Sequence, residues 1–382
     1  MKKYKFLTIE DLRIGAKKRI PKLAFDYLDG GAGSEENIYR NRSCFDEILL
    51  CPEYIRDVTN RSQEVKIFGH TYDAPIGVSP VGLANLIWPN TDTYLARMAK
   101  KRNVPYLLSA VGTTSIEEIA KIAPEHTWFQ LYVPGQNYIC FDLIRRAKEA
   151  GIKVLVLTVD IPEPSKRLRD LRNDFTLPFK ITPKIILDIL RKPRWVSETL
   201  ANGTPRFENM VPYITDVKNK KSLGPDQVLQ TSARLSEDFV KRIRDSWAGT
   251  FVIKGILSPT SAKAAMRIGA DGIIVSNHGG RQLDCAPASI ETIANITKTC
   301  GPKITVMLDS GIRGGTDIVK AFASGASYTF SGRSFIFGIG ALGEQGGEHA
   351  LDIMSNEVDK TLAQVGCNDI TKIDRSYIYQ RV

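Results

Sequence analysis

The sequence predicts an α/β chain folded as a (β/α)8 TIM barrel, with an N-terminal helical extension and a long insertion after the fourth strand. Three observations predict it. Eight short apolar runs recur along the chain, and amphipathic segments separate them. Polar residues gather just past the C-terminal ends of the runs, where such a barrel carries its chemistry.

The first seventy or so residues are expected to be helices that precede the barrel. The strand candidates follow at 74–79, 105–109, 128–132, 154–160, 251–254, 272–276, 304–309 and 328–331. Their unbroken apolar character fits strands buried on both faces. Helix candidates lie between them at 94–101, 116–122, 141–150, 261–268 and 316–323. Several start at a Ser or Thr that can cap the first turn, and some stop at Gly. Right-handed crossovers close eight such units into a barrel; an open doubly wound sheet is the rival arrangement. Strands mostly recur every ~20 to 30 residues, as βα units require. The gap from Asp160 to Phe251 is far longer. A helix needs about a third of it, so the rest is an insertion at about 161–231, rich in proline and suited to a lid or a binding element. The barrel core then spans about 74–345 of a single domain covering 1–382.

Composition narrows the classes. Of 382 residues, 43% are hydrophobic and 25% charged, which excludes wholesale disorder. The 52 Lys+Arg against 42 Asp+Glu leave +10, which suits an anionic partner. Charge alone does not choose among nucleic acid, a membrane surface and small anions, and nothing else favours nucleic acid. The six cysteines form no C-x-x-C pair, so no zinc or redox motif is expected and a reducing cytosol is the simplest reading. No apolar signal core follows the basic start. The longest uncharged stretch, 74–91, is broken by Pro75, Pro80 and Pro89 and is not a transmembrane helix.

The polar residues at the strand ends are Ser109, Gln130, Tyr132, Thr158, Asp160, Lys254, Ser276 to Arg281, Asp309, Arg313, Gly332 and Arg333. Gln130/Tyr132 and Thr158/Asp160 are two apart and point to one face. The glycine-rich run from Asp309 to Gly315 opens a helix after the seventh strand, and Ser331-Gly332-Arg333 follows the eighth. Helix-start amides with two arginines suit a phosphate. His278 can take a proton near neutrality, Arg281 can hold a carboxylate, and Asp160 can orient the imidazole. A base beside a carboxylate clamp suggests proton abstraction from a small acid. His70, His126 and His349 lack such company and read as structural. No second ligand stands at metal spacing from His278, so no metal is expected. Lys254 has three readings: a Schiff-base lysine, a fixed charge against an anionic cofactor ring, or a lysine snorkelling from the barrel rim.

The run Ser276-Asn277-His278-Gly279-Gly280-Arg281-Gln282-Leu283-Asp284 resembles the signature of the FMN-dependent 2-hydroxy-acid oxidase and dehydrogenase family. The resemblance covers essentially the whole chain and leans to its membrane-associated branch. It implies FMN as cofactor and oxidation of an (S)-2-hydroxy acid to the 2-oxo acid. By the same resemblance, His278 is the catalytic histidine and Asp160 its carboxylate partner. Arg281 and Tyr27 bind the substrate carboxylate, Tyr132 stands near the substrate hydroxyl, and Arg167 is a second active-site arginine. Lys254 sits beside the flavin N1/O2 edge, where its charge stabilises the reduced ring, which disfavours the Schiff-base reading. Pro80, Gly82, Ser109, Gln130, Thr158 and Ser276 surround the ring and ribityl chain. Asp309, Arg313, Gly332 and Arg333 serve the ribityl chain and phosphate.

Departures from the pattern carry information. Val111 replaces an aromatic residue and Gly82 an alanine common in relatives. Both enlarge the substrate pocket and suit a bulky or aromatic acid such as (S)-mandelate. Ser165-Lys166 precedes Arg167 where glycine is usual.

The electron acceptor is a membrane quinone, dioxygen or a cytochrome; without a C-x-x-C-H, no haem module is expected. In the insertion, Thr182 can cap a helix starting at Pro183. Ile185, Ile186, Ile189 and Leu190 then share a face, with Trp195 beyond as an aromatic anchor. Lys180, Lys184, Arg191, Lys192 and Arg194 surround them. About 180–200 thus suits an anionic membrane surface, and a lid helix is the alternative. The resemblance favours a cytoplasmic protein, peripheral on the inner face of the cell membrane, that reduces a quinone. The alternative is a soluble oxidase of lactate, glycolate or long-chain acids that reduces O2 to H2O2. A homo-oligomer, a tetramer by resemblance, is also implied. A non-catalytic flavin- or phosphate-binding barrel would lack the base and the clamp.

Overall fold

The computed structural model describes residues 6–175, 182–214 and 235–380. Helix α1 (Ile9–Arg19) starts at a reciprocal cap: Thr8 Oγ1 accepts from Asp11 N at 3.1 Å, and Asp11 accepts from Thr8 N at 3.0 Å. Helices α2 (Lys22–Asp29) and α3 (Glu36–Asp46) follow. The extension is not wholly helical. Strands β1 (Val65–Ile67) and β2 (His70–Tyr72) form an antiparallel hairpin. Three-residue strands are too short to show a period, so only the fold reveals them. The hairpin packs its rings against barrel residues. Trp128 Nε1 donates to Tyr72 Oη at 3.1 Å, and Phe68 lies 5.7 Å from the Trp128 ring.

Eight parallel strands then close on themselves: β3 (Ile76–Val78), β4 (Tyr106–Ser109), β5 (Thr127–Leu131), β6 (Val154–Thr158), β7 (Thr250–Ile256), β8 (Gly272–Val275), β9 (Thr305–Leu308) and β10 (Tyr328–Ser331). Their order, β10-β3-β4-β5-β6-β7-β8-β9, is the closed barrel and not the open sheet. Nearly every strand residue is buried, as strands enclosed by an outer ring of helices must be. The register between β7 and β8 shifts between Lys254 and Ile256. Gly255 there has φ +102, and a Cβ on it would lie 2.7 Å from Asp160. Only glycine lets β7 pass that carboxylate.

The helices start earlier than apolar periodicity suggests. Helix α4 (Thr91–Lys101) begins with the polar Thr91-Asp92-Thr93, which a hydrophobic count skips, and α6 (Asn137–Glu149) takes in Asn137 to Cys140 ahead of its expected start. Helix α5 (Ile116–Ile122) matches its expected bounds, and Ser115 caps it. Between β6 and β7 the insertion contributes α7 (Leu168–Arg172), α8 (Pro183–Leu190), α9 (Pro193–Asn202) and α10 (Val211–Ile214), before α11 (Glu237–Asp245) returns the chain to β7. Residues 176–181 and 215–231 of the expected insertion, Lys180 among them, lie outside the described residues. Thr182 caps α8 as expected, its hydroxyl accepting from Ile185 N. Two other expectations fail here. Trp195 is not a surface anchor: it is buried, and its Nε1 donates to Leu86 O and Ile87 O, both at 3.2 Å. The apolar face of α8 is also divided. Ile185 and Ile189 pack on the core, while Ile186, Leu187 and Leu190 face out.

Candidate active site

The C-terminal mouth of the barrel encloses a cavity of about 630 Å³. The chain reverses sharply at its centre. His278, Gly279 and Gly280 have φ of 58°, 66° and 75° in succession. For histidine this left-handed backbone is uncommon and marks a residue its surroundings hold in place. The turn is pinned by side chains: His278 N donates to Ser276 Oγ at 3.1 Å, and Gly279 N to Ser310 Oγ at 3.0 Å.

This turn points the imidazole at the end of β6. His278 Nδ1 lies 2.8 Å from Asp160 Oδ1, and Tyr132 Oη is 3.4 Å from His278 Nε2. The carboxylate fixes the tautomer: Nδ1 carries the proton and Nε2 presents a lone pair to the cavity. Burial pushes the imidazole below its ordinary value. Asp160 offsets part of that, and Lys254 and Arg167 add to it. Burial pushes the Asp160 carboxyl up, but His278 and Lys254 outweigh it and hold the group below the usual carboxylate range. At neutral pH the pair is therefore a neutral base on an ionised orienter.

Lys254 is 3% exposed, which rules out the snorkelling reading. Its Nζ sits 2.6 Å from Ser276 Oγ and 3.0 Å from Asp309 Oδ2. Ser79 Oγ donates to the same Asp309 oxygen at 3.1 Å. One buried ion pair thus ties together the ends of β3, β7, β8 and β9.

Two further arginines, Arg281 and Arg167, line the cavity. Arg281 Nη1 donates to Tyr27 O at 2.5 Å and Gly30 O at 2.9 Å, so it caps the end of α2. Its guanidinium lies 5.0 Å over the Tyr27 ring. Arg167 Nε donates to Ser165 Oγ at 3.3 Å, and Ser165 Oγ donates to Arg281 O at 2.5 Å. The unusual serine therefore links both arginines. Burial pulls Arg281 down to about 10, with Arg167 contributing. Tyr27 Oη donates to Gly82 O at 3.0 Å. A Cβ on Gly82 would lie 2.7 Å from Val111 Cγ2, so these two residues face each other across one wall.

Ser109, Gln130, Thr158 and Ser276 are buried at the strand ends. Ser109 Oγ donates to Gln130 Oε1 at 2.9 Å, while Gln130 Nε2 and Thr158 Oγ1 are buried with no hydrogen-bond partner among the described residues. Pro80, Gly82, Asp309, Arg313, Gly332 and Arg333 line the cavity. Burial lowers Arg313 to about 10, with Arg42 adding to the effect, and lowers Arg333 further, with Arg281 and Arg313 adding. Arg333 already donates to Leu28 O, Gly279 O and Gly30 O at 2.7–2.9 Å, leaving two of its five N–H groups. The amides after Asp309 are partly occupied. Arg313 N and Gly314 N donate to Asp317 at 2.8 and 3.2 Å, and Gly315 N to Glu357 at 2.6 Å. The head of helix Arg333–Leu342, whose N-cap Gly332 supplies no side-chain cap, is the more open of the two helix starts.

Several cavity-lining residues carry no signal in the sequence: Ile161, Asp170, Leu171, Phe175 and Phe207, all from the insertion. Phe175 stacks on Tyr27 with ring centroids 5.2 Å apart. The other histidines are structural in their contacts. His70 and His126 both approach Asn103 Oδ1, and His349 approaches Phe6 O.

A closed β/α barrel whose mouth joins a carboxylate-bound histidine, paired arginines and a buried cationic helix start is an enzyme site suited to a small acid beside a phosphate-bearing group. The chain belongs to the FMN-dependent dehydrogenase family, whose model matches residues 16–380. It is 37% identical over 372 residues to (S)-mandelate dehydrogenase of Pseudomonas putida, covering 97% of this chain and 93% of that protein. It is 36% identical over 376 residues to L-lactate dehydrogenase of Pseudomonas syringae pv. syringae (strain B728a), covering 98% and 99%. Among solved structures, the monotopic membrane protein (S)-mandelate dehydrogenase superposes with a TM-score of 0.92 at 36% identity, covering 98% of this chain and 100% of that one. A mandelate oxidase superposes at 0.82 with 31% identity, covering 99% of each. The protein is an FMN-dependent 2-hydroxy-acid dehydrogenase.

The residues present fit FMN. Gln130 Nε2 and Thr158 Oγ1 are buried polar groups of the kind that a ligand's ring and ribityl oxygens would satisfy. Arg313, Arg333 and the helix head beside them suit its phosphate.

Proposed function

We propose that the enzyme oxidises a bulky or aromatic (S)-2-hydroxy acid, with (S)-mandelate as the type, to the 2-oxo acid and passes the electrons to a membrane quinone. The observation that carries this reading is the wall formed by Gly82 and Val111. Neither residue brings a ring to a cavity of about 630 Å³, whose lining from the insertion includes the apolar Phe175 and Phe207.

In this reading Arg281 and Arg167 hold the substrate carboxylate, with the Tyr27 hydroxyl beside them. The Tyr132 hydroxyl fixes the substrate hydroxyl next to His278 Nε2. His278 takes one substrate proton, and Asp160 stabilises the imidazolium that forms. FMN, when bound, supplies the two-electron acceptor. Ser109, Gln130, Thr158 and Ser276 hold its ring region, and Arg313, Gly332 and Arg333 its phosphate. Lys254 is held by Asp309 and Ser276 as a fixed positive charge at the bottom of this cavity, at the strand ends.

The membrane contact we assign is the outer face of α8, where Ile186, Leu187 and Leu190 are 45%, 53% and 65% exposed. Exposed apolar residues on a short helix with Arg191 and Arg194 next to it suit an anionic bilayer surface. Among the described residues no helix is long and apolar enough to cross a membrane.

The test is the visible spectrum of the purified holoenzyme, followed anaerobically as (S)-mandelate or (S)-lactate is added. Faster bleaching with (S)-mandelate and slow recovery in air support the proposal. Faster bleaching with (S)-lactate overturns the substrate, and rapid recovery in air overturns the acceptor in favour of an oxidase.

A further inference from the structure

Helix α2 carries Tyr27 but cannot cap itself. Its N-cap is Pro21, which offers no side-chain acceptor, and its first turn holds no acid. Its first amides would be left open. The acceptor comes from the insertion instead: Asp188 Oδ2 receives Lys22 N at 2.6 Å and Leu23 N at 3.4 Å. Just past α8, Lys192 Nζ donates to Lys18 O at 2.7 Å and Lys17 O at 3.5 Å, the last turn of α1. A carboxylate therefore meets the positive end of α2, and an ammonium meets the negative end of α1. Both signs match the helix dipoles. The two side chains clasp the α1–α2 corner from outside.

The other end of α2 is the substrate site. Arg281 caps its last carbonyls, and Tyr27 Oη reaches Gly82 O. With eight residues, α2 is ~12 Å of rigid rod between the insertion and the pocket. We infer that Asp188 is a positioning residue: by capping α2 it sets where Tyr27 stands against the substrate, so the insertion helps to set substrate affinity. The inference rests on the reading that Tyr27 contacts the substrate carboxylate.

Four variants test it as holoenzymes: Asp188→Ala, Asp188→Asn, Tyr27→Phe, and Asp188→Ala with Tyr27→Phe. Asp188→Ala should raise KM about fivefold, the size a lost helix cap carries, with kcat within about twofold. The Kd of the 2-oxo acid product should rise alike, and amide exchange in segment 22–29 should accelerate. Asp188→Asn keeps an acceptor oxygen and should restore most of both. Tyr27→Phe alone should raise KM, and adding Asp188→Ala to it should raise KM little further. If Tyr27→Phe leaves KM unchanged, the reading of Tyr27 fails and this inference falls with it. If Tyr27→Phe raises KM but Asp188→Ala lowers only thermal stability, Asp188 is merely structural. Fully multiplicative effects in the double variant also overturn the inference, because the cap would then act elsewhere than through Tyr27.

Discussion

Replacing Asp160 by asparagine isolates the charge behind the base. The side chains are isosteric, so the close passage at Gly255 stays open, and Asn Oδ1 can still accept from His278 Nδ1. Only the negative charge goes. The contact distance is 2.8 Å, which puts the charge centres about 4 to 5 Å apart. At an effective dielectric near 20 the attraction between a carboxylate and an imidazolium there is about 4 kcal/mol. The retained hydrogen bond leaves a loss of about 3 kcal/mol in the transition state, or roughly a hundredfold in rate.

The pH profile adds a sign. Protonated His278 cannot accept a proton, so the rate rises with pH through the pKa of the imidazole. Burial places that midpoint below the ordinary 6.5. Asp160 is the main group that raises it. Asp160→Asn should therefore move the rising limb to lower pH while the plateau falls. The assay is the anaerobic bleaching of the bound flavin in a stopped-flow instrument, across pH, with the limb read well below saturating substrate, where it reports the free enzyme, and the plateau also read at saturation. Flavin content and substrate Kd should stay near wild type, since Asp160 touches neither arginine. A plateau within threefold of wild type, or a limb that moves to higher pH, would refute the role of this charge.

Lys254→Met leaves the Asp309 carboxylate buried without its cation. Unfolding of the holoenzyme in guanidinium should show a loss of about 3 kcal/mol, and Lys254→Met with Asp309→Leu should recover much of it. Val111→Phe fills the wall opposite Gly82. In steady-state assays it should raise KM for (S)-mandelate at least about tenfold, the low end of what one methylene carries, with (S)-lactate changed less than about threefold. Ile186→Asp with Leu190→Asp puts two charges on the outer face of α8. Sedimentation with anionic vesicles should then fall to background while flavin reduction in detergent persists.

How far the sequence reveals this molecule depends on what each residue's neighbours are. The barrel strands are readable because both of their faces are buried, so each is apolar along most of its length. The hairpin at β1 and β2 is not, because three residues show no period and their packing partners lie in distant strands. The same contrast runs through the site. His278, Asp160 and Lys254 can be found because each ends a strand, and position in a barrel assigns them to the mouth. Phe175 and Phe207 reach the same cavity from the insertion, where no register says which side chains turn inward. Trp195 and Lys192 mislead for a related reason. Amphipathic patterning finds an apolar face and a basic one, but it does not say whether each meets solvent, lipid or the rest of the chain.

Helix α3 shows most plainly why the left-handed turn at His278 could not be read in advance. The stretch Glu36–Asp46 is polar nearly all round and looks like an exposed helix, yet Asn37 and Asn41 are 0% and 3% exposed. Asn277 Nδ2 donates to Asn37 Oδ1 at 2.5 Å and to Asn41 Oδ1 at 2.7 Å, and Asn277 Oδ1 accepts from Asn41 Nδ2 at 3.0 Å. Three buried amides thus lock the residue just before His278. A left-handed non-glycine residue costs about 1 to 3 kcal/mol and persists only where its surroundings over-determine it. Here that surrounding is a side-chain network between segments about 240 residues apart, and it sets the direction of the imidazole before any substrate arrives.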